Sequence, residues 1–379
     1  MPKKKQYTIL FAGGGTGGHI FPIVAIAREI RKIDPNLFKL AYVGPRDSFD
    51  NLLLSQEGIA VYRVASGKIR RYWGIKAMFL NVFDLLIFIP LGIFQSFVRL
   101  FFLAPDVIVS KGGYGSLPTV LASRVFGIPL FLHESDIAPG ISNRIVAKFA
   151  LEIFVSFPRT LHVPLKKLVL VGNPIRQEML EGSKDKAKEL FRLQGEKPVL
   201  LFLGGSQGSL PLNEMLLAII NDLLTEFEVI HQTGTKQFGQ NKREARVVIQ
   251  DNRWEGYHPV PFLKEQELRH AYAIADFIIN RAGSGSIFEI AALGKPSILI
   301  PLPHAAQNHQ AQNAYAYADT GASIVLEEAN LTPRFFLEKI RTLFRNPQEQ
   351  ERMREAARMF ARPNAARVIA HYIADYLRG

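Results

Sequence analysis

The chain has 379 residues, of which 48% are hydrophobic, and its 46 Lys and Arg against 34 Asp and Glu give a formal charge of +12. At roughly 100–200 residues per domain, this length predicts two or three domains with cores of their own, and the apolar fraction excludes a disordered chain. The absence of cysteine excludes a disulfide scaffold, a thiolate nucleophile and a Cys-ligated metal centre, and it is compatible with a cytosolic location.

The positive charge is unevenly distributed along the chain. Residues 1–160 hold 19 Lys and Arg and 10 Asp and Glu, whereas residues 161–379 hold 27 and 24. An anionic partner of the first part is therefore expected, and nucleic acid, an acidic membrane and a phosphorylated small molecule all qualify. Nucleic-acid-binding signatures are not evident, and the basic residues are not interleaved with stacking aromatics in one tract, so no nucleic-acid partner is predicted.

Short apolar runs recur along the chain, each followed by a Gly-containing loop and a helical pattern. Such runs are typical of buried parallel strands, which have no solvent-facing side. The predicted strands are Tyr7–Ala12, Lys39–Val43, Val61–Val64, Val107–Ser110, Leu130–Leu132, Ile153–Val155, Val199–Leu203, Phe227–His231, Arg246–Ile249, Phe277–Asn280, Ser297–Ile300 and Ile324–Leu326.

This order of elements predicts an α/β fold with two doubly wound, Rossmann-like domains that face each other across a cleft. Prolines and lysines interrupt the pattern near Phe157–Lys167, so the predicted domains are residues 1–164 and 165–379. The last helices, ending with Ala365–Leu377, are expected to pack back toward the first domain. Because ligands of open parallel sheets bind beyond the carboxyl ends of the strands, the cleft is the expected site.

The first glycine loop follows the first predicted strand and precedes a predicted helix at Pro22–Ile30. Gly13–Gly18 has five glycines in six residues, which allows positive φ angles and lets an anionic or bulky ligand approach the backbone amides. The loop lacks the Lys-Ser/Thr of a Walker loop and the acidic partner of a dinucleotide fingerprint. His19 follows it, either as a functional residue or as a capping and packing histidine.

The most apolar segment is Ile75–Leu103, whose only charges are Lys76, Asp84 and Arg99. Its longest uncharged run, Leu85–Val98, has 14 residues and contains a proline and a glycine. This is shorter than the roughly 18–20 residues of a membrane-spanning helix. The N-terminal sequence MPKKKQYTILFA does not predict a signal peptide, because its apolar run is too short.

Seven phenylalanines lie in this segment, and cations with two aromatics precede it at residues 68–73. An apolar face with a rim of Lys, Arg, Trp and Tyr is typical of proteins that bind the surface of an anionic membrane. We therefore predict peripheral membrane contact, with a buried helix pair as the alternative. The predicted contact residues are Lys68, Arg70, Arg71, Trp73, Phe79 and Phe83.

Three further glycine loops follow predicted strands, at Ser110–Ser116, Gly204–Gly208 and Arg281–Ser286. The serine and bare amides of Gly204–Gly208 suit a diphosphate at the positive end of the next helix. After the last loop, Glu289 is placed to accept hydrogen bonds from a ribose or sugar diol. Its alternative role is that of an ordinary first-turn helix acid, which the helix dipole favours.

Two polar clusters also follow predicted strands, His133–Asp136 and His304–Asn313. The Gln and Asn side chains of the second cluster offer both the donors and the acceptors that sugar hydroxyls require. Neither cluster has the spacing of a metal site, so no metal is predicted. A Ser-His-Asp hydrolase is not supported, because the nucleophile-elbow motif is absent.

Together these motifs resemble the MurG family of glycosyltransferases. They occur in the family's order from about Tyr7 to Gly321, as GGGTGGHIFP, SKGGYGSLP, HESDIAPGISNR, VGNPIR, GGSQGS, HQTG, RAGSGSIFEIAALGKPSILIP and NHQAQNA. The resemblance implies a GT-B fold and an inverting transfer of N-acetylglucosamine from UDP-GlcNAc, with neither a metal nor a cofactor. The acceptor it implies is the C4 hydroxyl of the MurNAc-pentapeptide of undecaprenyl-pyrophosphate-linked lipid I, and the products are lipid II and UDP.

The resemblance also implies a place in the cell. It puts the chain in peptidoglycan and cell-wall biosynthesis, and thereby in cell shape and division. The expected location is peripheral, on the cytoplasmic face of the inner membrane, with an anionic lipid surface and other cell-wall synthesis proteins as partners.

Residue roles follow from the same resemblance. UDP-GlcNAc is expected mainly in the second domain, with Arg176 and Ser206 on its phosphates or nucleotide and Glu289 on its ribose. The substrate-binding set is completed by Thr16, Gly17 and Gly18 of the acceptor-facing loop and by Asn143, Ser284, Gly285, Ser286, His309 and Gln310.

The general base that the resemblance implies is His19 or Glu134. Histidine has the ordinary pKa better suited to neutral pH, and Glu134 is the alternative base or the partner that orients a histidine. Asp136 stands where the family commonly has an amide, which removes hydrogen-bond donors at that position.

Other functions are compatible with the same fold. A UDP-GlcNAc 2-epimerase would need neither an acceptor nor a membrane surface, and a diacylglycerol glycosyltransferase would share the membrane contact. A catalytically idle membrane scaffold would have no need of the polar residues in the loops.

Overall fold

A computed structural model describes residues 6–14, 17–45, 48–67, 75–205, 208–303 and 305–379. The chain forms two compact units, one of Met1–Arg176 with Asn364–Gly379 and the other of Gln177–Pro363. The division falls after Arg176 rather than after residue 164, because a strand at Leu168–Leu170 pairs with the sheet of the first unit.

The first unit is built on a seven-stranded sheet in which every pairing is parallel. Its strands are β1 Tyr7–Ala12, β2 Phe38–Gly44, β3 Ala60–Arg63, β4 Val107–Ser110, β5 Leu130–Glu134, β6 Glu152–Val155 and β7 Leu168–Leu170. Their order across the sheet is β3-β2-β1-β4-β5-β6-β7. The order reverses between β1 and β4, which is where ligands of such sheets bind.

The second unit has a six-stranded parallel sheet in the order β10-β9-β8-β11-β12-β13. These strands are β8 Val199–Leu203, β9 Glu228–Gln232, β10 Tyr257–Val260, β11 Phe277–Asn280, β12 Ser297–Leu299 and β13 Ser323–Val325. The two parallel-sheet units confirm the predicted α/β class.

Fifteen α-helices are described. They are α1 Gly17–Ile33, α2 Ser48–Gln56, α3 Ile75–Phe83, α4 Ile89–Leu103, α5 Leu117–Ser123, α6 Ile141–Phe149, α7 Lys184–Phe191, α8 Leu210–Glu226, α9 Phe238–Val248, α10 Glu265–Ile274, α11 Ser284–Ala292, α12 His309–Ala318, α13 Pro333–Phe344, α14 Pro347–Phe360 and α15 Ala365–Arg378.

The central strand β1 shows why its sequence is apolar without interruption. Ile9 and Phe11 point into a core shared with α1 and α15, whereas Leu10 and Ala12 point into the core on the opposite face of the sheet. Both faces are buried, so no position alternates with solvent. Each fully buried aliphatic side chain contributes about 1.5–3 kcal/mol to folding.

The predicted strand at Arg246–Ile249 is wrong. Its residues lie at the end of α9, where the Arg246 guanidinium stacks on Trp254 at 3.6 Å and Val247 is 86% exposed. The strand at this sheet edge is β10, which was not predicted and which contains Pro259. Proline is tolerated there because an edge strand pairs on one side only.

The apolar segment forms one continuous helix, with a π-helical turn at Asp84–Phe88 between α3 and α4. Within its residues Asn81–Leu103, the most apolar 18-residue window has a mean hydropathy of 2.0, and only 17% of that window is buried. By length and composition alone, this helix could cross a membrane. The alternative of a buried helix pair is therefore wrong.

The face of α4 that packs on the protein combines small and polar residues with the buried Leu100. A Cβ on Gly92 would lie 1.9 Å from the Ala65 carbonyl oxygen, so only glycine fits there. The Gln95 side chain accepts a hydrogen bond from the Ala65 amide at 2.7 Å, and the Ser96 hydroxyl lies 3.2 Å from that of Thr119 on α5. The exposed face is apolar and includes Leu85, Leu86, Ile87, Leu91, Phe94, Phe101 and Phe102.

Candidate active site

Loops that follow β1, β4 and β5 meet at the carboxyl edge of the first sheet, because these strands are neighbours. His19 lies in the first turn of α1, after the β1 loop, and Gly17 and Gly18 are the first two residues of this helix. Gly14 has a φ of +125°, a conformation open to glycine. Thr16 lies outside the described residues.

His19 is half-buried, and its ring is oriented by the residue after β4. Its Nδ1 lies 3.3 Å from the carbonyl oxygen of Lys111. A carbonyl oxygen only accepts hydrogen bonds, so this contact places the proton of the neutral ring on Nδ1 and the lone pair on Nε2. The arrangement gives the imidazole the tautomer of a general base.

Glu134 and Asn143 connect the β4, β5 and α6 segments of the same edge. One carboxylate oxygen of Glu134 accepts from the Asn143 amide at 2.6 Å, and the other accepts from the Asp136 backbone N–H at 2.8 Å. The Asn143 side-chain oxygen in turn accepts from the Gly113 backbone N–H at 3.0 Å. Glu134 therefore holds the glycine loop that lies beside His19.

The Glu134 side chain is buried, with 3% of the residue exposed. Burial and the charge of Asp136 raise its pKa to about 7, against the opposing effects of hydrogen bonds from the Asp136 backbone and from Asn143 and of the charge of Lys111. This pKa lies near neutrality, where groups that exchange protons are most often found.

Lys111 is a site residue that the sequence analysis quoted within a motif but gave no role. It is 2% exposed, and its ammonium donates a hydrogen bond to the Ser135 hydroxyl, which donates to the Asn173 side-chain oxygen at 2.9 Å. Burial lowers the Lys111 pKa to about 8, against the opposing charges of Glu134 and Asp136. A lysine directly after a fully buried strand is the signal that could have singled it out.

Arg176 is the last residue of the first unit, although the sequence analysis assigned it to the second domain. Its guanidinium is buried and lies over the ring of Phe21 on α1, with 4.1 Å between the guanidinium carbon and the ring centroid. This cation–π contact aligns Arg176 with the helix that begins at the first glycine loop.

In the second unit, the loop after β8 is held by a side chain at the end of β9. Gln232 donates to the Gly205 carbonyl oxygen at 2.9 Å and accepts from the Leu263 backbone N–H at 2.9 Å. Gly208 has a φ of +78°, and a Cβ there would lie 2.2 Å from the Thr233 carbonyl oxygen. Ser206 lies outside the described residues.

Arg281, directly after β11, joins neighbouring loops of this sheet edge and was not predicted as a site residue. Its guanidinium donates to the Ser209 hydroxyl and to the Ile300 carbonyl oxygen, the latter at 3.2 Å. It also pairs with the Glu328 carboxylate at 2.6 Å. Because the Arg281 guanidinium is buried and bonded to three segments of the chain, it holds the loops after β8 and β12 and the segment of Glu328 together.

Ser284, Gly285 and Ser286 form the first turn of α11, which therefore begins three residues before the predicted helix at Ile287–Leu293. Glu289 is buried and accepts a hydrogen bond from the Tyr272 hydroxyl at 3.1 Å. Because α11 begins at Ser284, Glu289 lies in its second turn, and the alternative of a first-turn helix acid is wrong. Tyr272, on the preceding helix α10, was not predicted as its partner.

His309 and Gln310 are the first two residues of α12. The residue before them, Asn308, has a φ of 55°, and Gln307 has a φ of 58°, so the chain enters the helix through two left-handed residues. Gln310 accepts a hydrogen bond from the Leu302 backbone N–H at 2.9 Å. His309 is half-buried at the positive end of the helix.

The predicted membrane-contact residues fall into two groups. Phe79 and Phe83 lie on α3 with 68% and 48% of each residue exposed. Lys68, Arg70, Arg71 and Trp73 lie outside the described residues. Over the part of the chain that the structure describes, no three His, Asp or Glu residues are grouped as a metal site requires.

Two family models match the chain. The glycosyltransferase family 28 N-terminal domain matches residues 9–155, and the glycosyltransferase family 28 C-terminal domain matches residues 199–369.

Curated relatives cover nearly the whole chain. One from Bacillus cereus is 32% identical over 97% of this chain and 99% of its own length, and one from Clostridium perfringens is 34% identical over 91% and 92%. Both are named as UDP-N-acetylglucosamine–N-acetylmuramyl-(pentapeptide) pyrophosphoryl-undecaprenol N-acetylglucosamine transferases.

Solved structures agree with this relationship. The crystal structure of MurG from Acinetobacter baumannii has a TM-score of 0.73 at 26% identity, covering 97% of this chain and 99% of the other. The UDP-GlcNAc 2-epimerase from Neisseria meningitidis bound to UDP-GlcNAc has a TM-score of 0.68 at 13% identity, over 97% and 100%, which indicates a shared fold alone. Because the family models match most of the chain and relatives above 30% identity span nearly all of it, the chain belongs to glycosyltransferase family 28, and within that family to the MurG group.

Proposed function

We propose that the chain transfers N-acetylglucosamine from UDP-GlcNAc to the C4 hydroxyl of the MurNAc-pentapeptide of lipid I, with inversion at the anomeric carbon. The products are lipid II and UDP. The observation that carries this proposal is the match to relatives named for such a transfer over 97% of the chain. The epimerase reading has weaker support, since its similarity is one of fold alone.

His19 is the general base of the proposed reaction. The acceptor oxygen forms a bond to the anomeric carbon as the bond from that carbon to the UDP oxygen breaks, and the electron pair leaves with UDP. The hydroxyl proton passes to Nε2 of His19, the nitrogen opposite the one that contacts the Lys111 carbonyl oxygen. The half-buried ring supports this role, because a base must reach the substrate.

Glu134 supports the site without receiving the proton. Both of its carboxylate oxygens already accept hydrogen bonds, from the Asn143 side chain and from the Asp136 backbone, and the residue is almost fully buried. Its proposed task is to hold Asn143 and, through it, the Gly113 amide. Gly17, Gly18 and Asn143 then form the substrate-facing edge of the first unit, and Thr16 is a further proposed substrate contact.

The donor is bound largely by groups of the second unit. The first turn of α11 presents backbone amides and the hydroxyls of Ser284 and Ser286 to the diphosphate and the uracil side, with Gly285 between them. Glu289, positioned by Tyr272, accepts hydrogen bonds from the ribose hydroxyls. His309 and Gln310 contact the sugar, and Ser206 and Arg176 supply further contacts to the phosphates or nucleotide. The leaving diphosphate is stabilised by helix ends and Arg176 without a metal.

The apolar helix formed by α3, the π-helical turn and α4 binds the anionic cytoplasmic face of the inner membrane. Small and polar residues, together with Leu100, pack on the protein, whereas the exposed face carries phenylalanines, which a helix in water would bury. Because Gln95 and Ser96 tie α4 to the first unit, the helix lies along the unit, which supports an interfacial position over a spanning one. Lys68, Arg70, Arg71 and Trp73 precede it in sequence and supply cations and an interfacial aromatic.

The test is incubation of the purified full chain with labelled UDP-GlcNAc and a lipid I analogue, with EDTA present. We expect a disaccharide-linked lipid product with inverted stereochemistry, formed only when the acceptor is added. Epimerised UDP-sugar from UDP-GlcNAc alone, or transfer to diacylglycerol instead of lipid I, would overturn the proposal. The His19→Ala variant, assayed in parallel, identifies any product that arises from a contaminating transferase.

A further inference from the structure

A buried lysine lies between the two acidic groups of the active-site edge and the proposed base. Lys111 follows β4, and its 2% exposure leaves the side chain almost no contact with water. A buried ammonium is retained in a fold only where neighbouring groups compensate its charge and use its donors. Here the compensation comes from the loop after β5, where Glu134 and Asp136 stand on either side of Ser135.

Lys111 reaches in two directions. Its ammonium donates to the Ser135 hydroxyl, which continues to Asn173 at 2.9 Å, so the side chain ties the β5 loop to the segment after β7. Its backbone carbonyl oxygen contacts His19 Nδ1 at 3.3 Å. One residue therefore fixes both the tautomer of the histidine and the loop that carries the carboxylates.

The charged and titratable groups around this point come from three segments. Lys111 comes from the end of β4, His133, Glu134 and Asp136 come from β5 and its loop, and His19 comes from α1. The α6 contact is the neutral Asn143, and the contact from the segment after β7 is the neutral Asn173. Burial, together with the charge of Lys111, keeps the pKa of His133 well below its ordinary value, so His133 is neutral and Lys111 is the counter-charge for the two acids.

We propose that Lys111 is a positioning residue for the transfer: its ammonium holds the β5 loop through Ser135 and its charge acts on Glu134, so that Glu134 holds Asn143 and the Gly113 loop in place beside His19. The proposal rests on the proposed function insofar as His19 is the base. It assigns to Lys111 no contact with either substrate.

The protonation state of Glu134 matters because an ionised carboxylate accepts the hydrogen bonds from Asn143 and from the Asp136 backbone better than a carboxylic acid does. Protonated Glu134 turns one oxygen into a donor, which opposes the N–H groups of Asn143 and Asp136. The charge of Lys111 lowers the Glu134 pKa and that of Asp136 raises it. Removing either charge must therefore move the acidic limb of the pH–rate profile, and in opposite directions.

The test compares pH–rate profiles of Lys111→Met and Asp136→Asn with that of the parent chain. We expect the acidic limb to move up by about one pH unit in Lys111→Met and down by a similar amount in Asp136→Asn. At neutral pH, kcat of Lys111→Met falls while the KM for UDP-GlcNAc stays unchanged. Ser135→Ala, which keeps the charge and loses the hydrogen bond, lowers kcat without moving the limb.

The matched control is Lys295→Met in the second unit. Lys295 is a half-buried lysine, its pKa is also lowered to about 8, and its ammonium donates to the Ala273 and Ala275 carbonyl oxygens. We expect no movement of the acidic limb in this variant. A limb that moves equally in both lysine variants, or in neither, would overturn the proposal.

A measurement without substrate separates this proposal from the proposed function. The melting temperature of Lys111→Met is followed from pH 5 to 9. The fall in stability that accompanies ionisation of Glu134 must occur at higher pH in this variant than in the parent chain. If this shift is present while the chain shows no transfer to lipid I, the proposed function has failed and the pairing of Lys111 with Glu134 stands. If transfer occurs and this shift is absent, the role of Lys111 is refuted, whatever its effect on folding.

Discussion

Replacing Phe94 by serine should weaken binding to anionic vesicles. Phe94 is 66% exposed on α4 in the absence of lipid. Burying that fraction of a phenylalanine side chain of roughly 200 Å² in the membrane removes about 130 Å² from water, worth about 3 kcal/mol at 25 cal/mol per Å². Insertion at an interface is incomplete, so the expected loss is about 2–3 kcal/mol, or roughly 30- to 150-fold in partition coefficient.

The assay is cosedimentation with vesicles that contain an anionic phospholipid, at low and moderate salt. Met359→Ser is the matched control, because Met359 is 88% exposed but lies on α14 of the second unit. Thermal unfolding should show that both variants are as stable as the parent chain, since neither side chain is in a core. An unchanged partition coefficient for Phe94→Ser, or an equal loss in Met359→Ser, would refute the reasoning that α4 meets the lipid.

Four further outcomes follow from the structure. His19→Ala should lower kcat by about 10²–10⁴ while UDP still binds, measured by turnover and calorimetry, and near-normal turnover would remove His19 as the base. Glu289→Ala should raise the KM for UDP-GlcNAc, and an unchanged KM would reject the ribose contact. Because the folded-state pKa of Glu134 is raised from 4.5 to about 7, its contribution to stability is fully present below about pH 4.5 and is lost as pH rises to about 7, so melting curves of Glu134→Gln should lack this fall. Gly92→Ala should lower the melting temperature, because its Cβ would lie 1.9 Å from the Ala65 carbonyl oxygen, and an unchanged value would disprove that tight contact.

Much of the fold could be predicted because its strands are buried on both faces. β1, β4, β8 and β11 were predicted to the residue, since uninterrupted apolar runs followed by Gly-containing loops favour parallel strands buried on both faces. The same pattern led to the wrong prediction of a strand at Arg246–Ile249. A short β-branched run at the end of a helix looks identical in sequence, and only its packing separates the two.

The candidate site was predictable in its loops and unpredictable in its pairings. The glycine motifs locate the β1, β4 and β11 loops, because each loop type needs a local residue pattern. The contact of Tyr272 with Glu289 joins residues from different segments of the chain, and so does that of Lys111 with Ser135. A local sequence pattern does not specify which residue from another part of the chain will pack against it, so these hydrogen-bond partners are known only from the structure.

The hydroxyl contact between Ser96 and Thr119 connects the helix α4 to the active-site edge of the first unit. Thr119 lies in the first turn of α5, which begins directly after the loop that holds Lys111 and Gly113. If α4 lies on the lipid surface, this contact fixes the distance between the membrane and the catalytic edge. An acceptor anchored by its lipid tail can extend from the membrane only by the length of its diphosphate and sugar. The rigidity of the α4–α5 pair would therefore determine which membrane-anchored acceptors reach the catalytic edge.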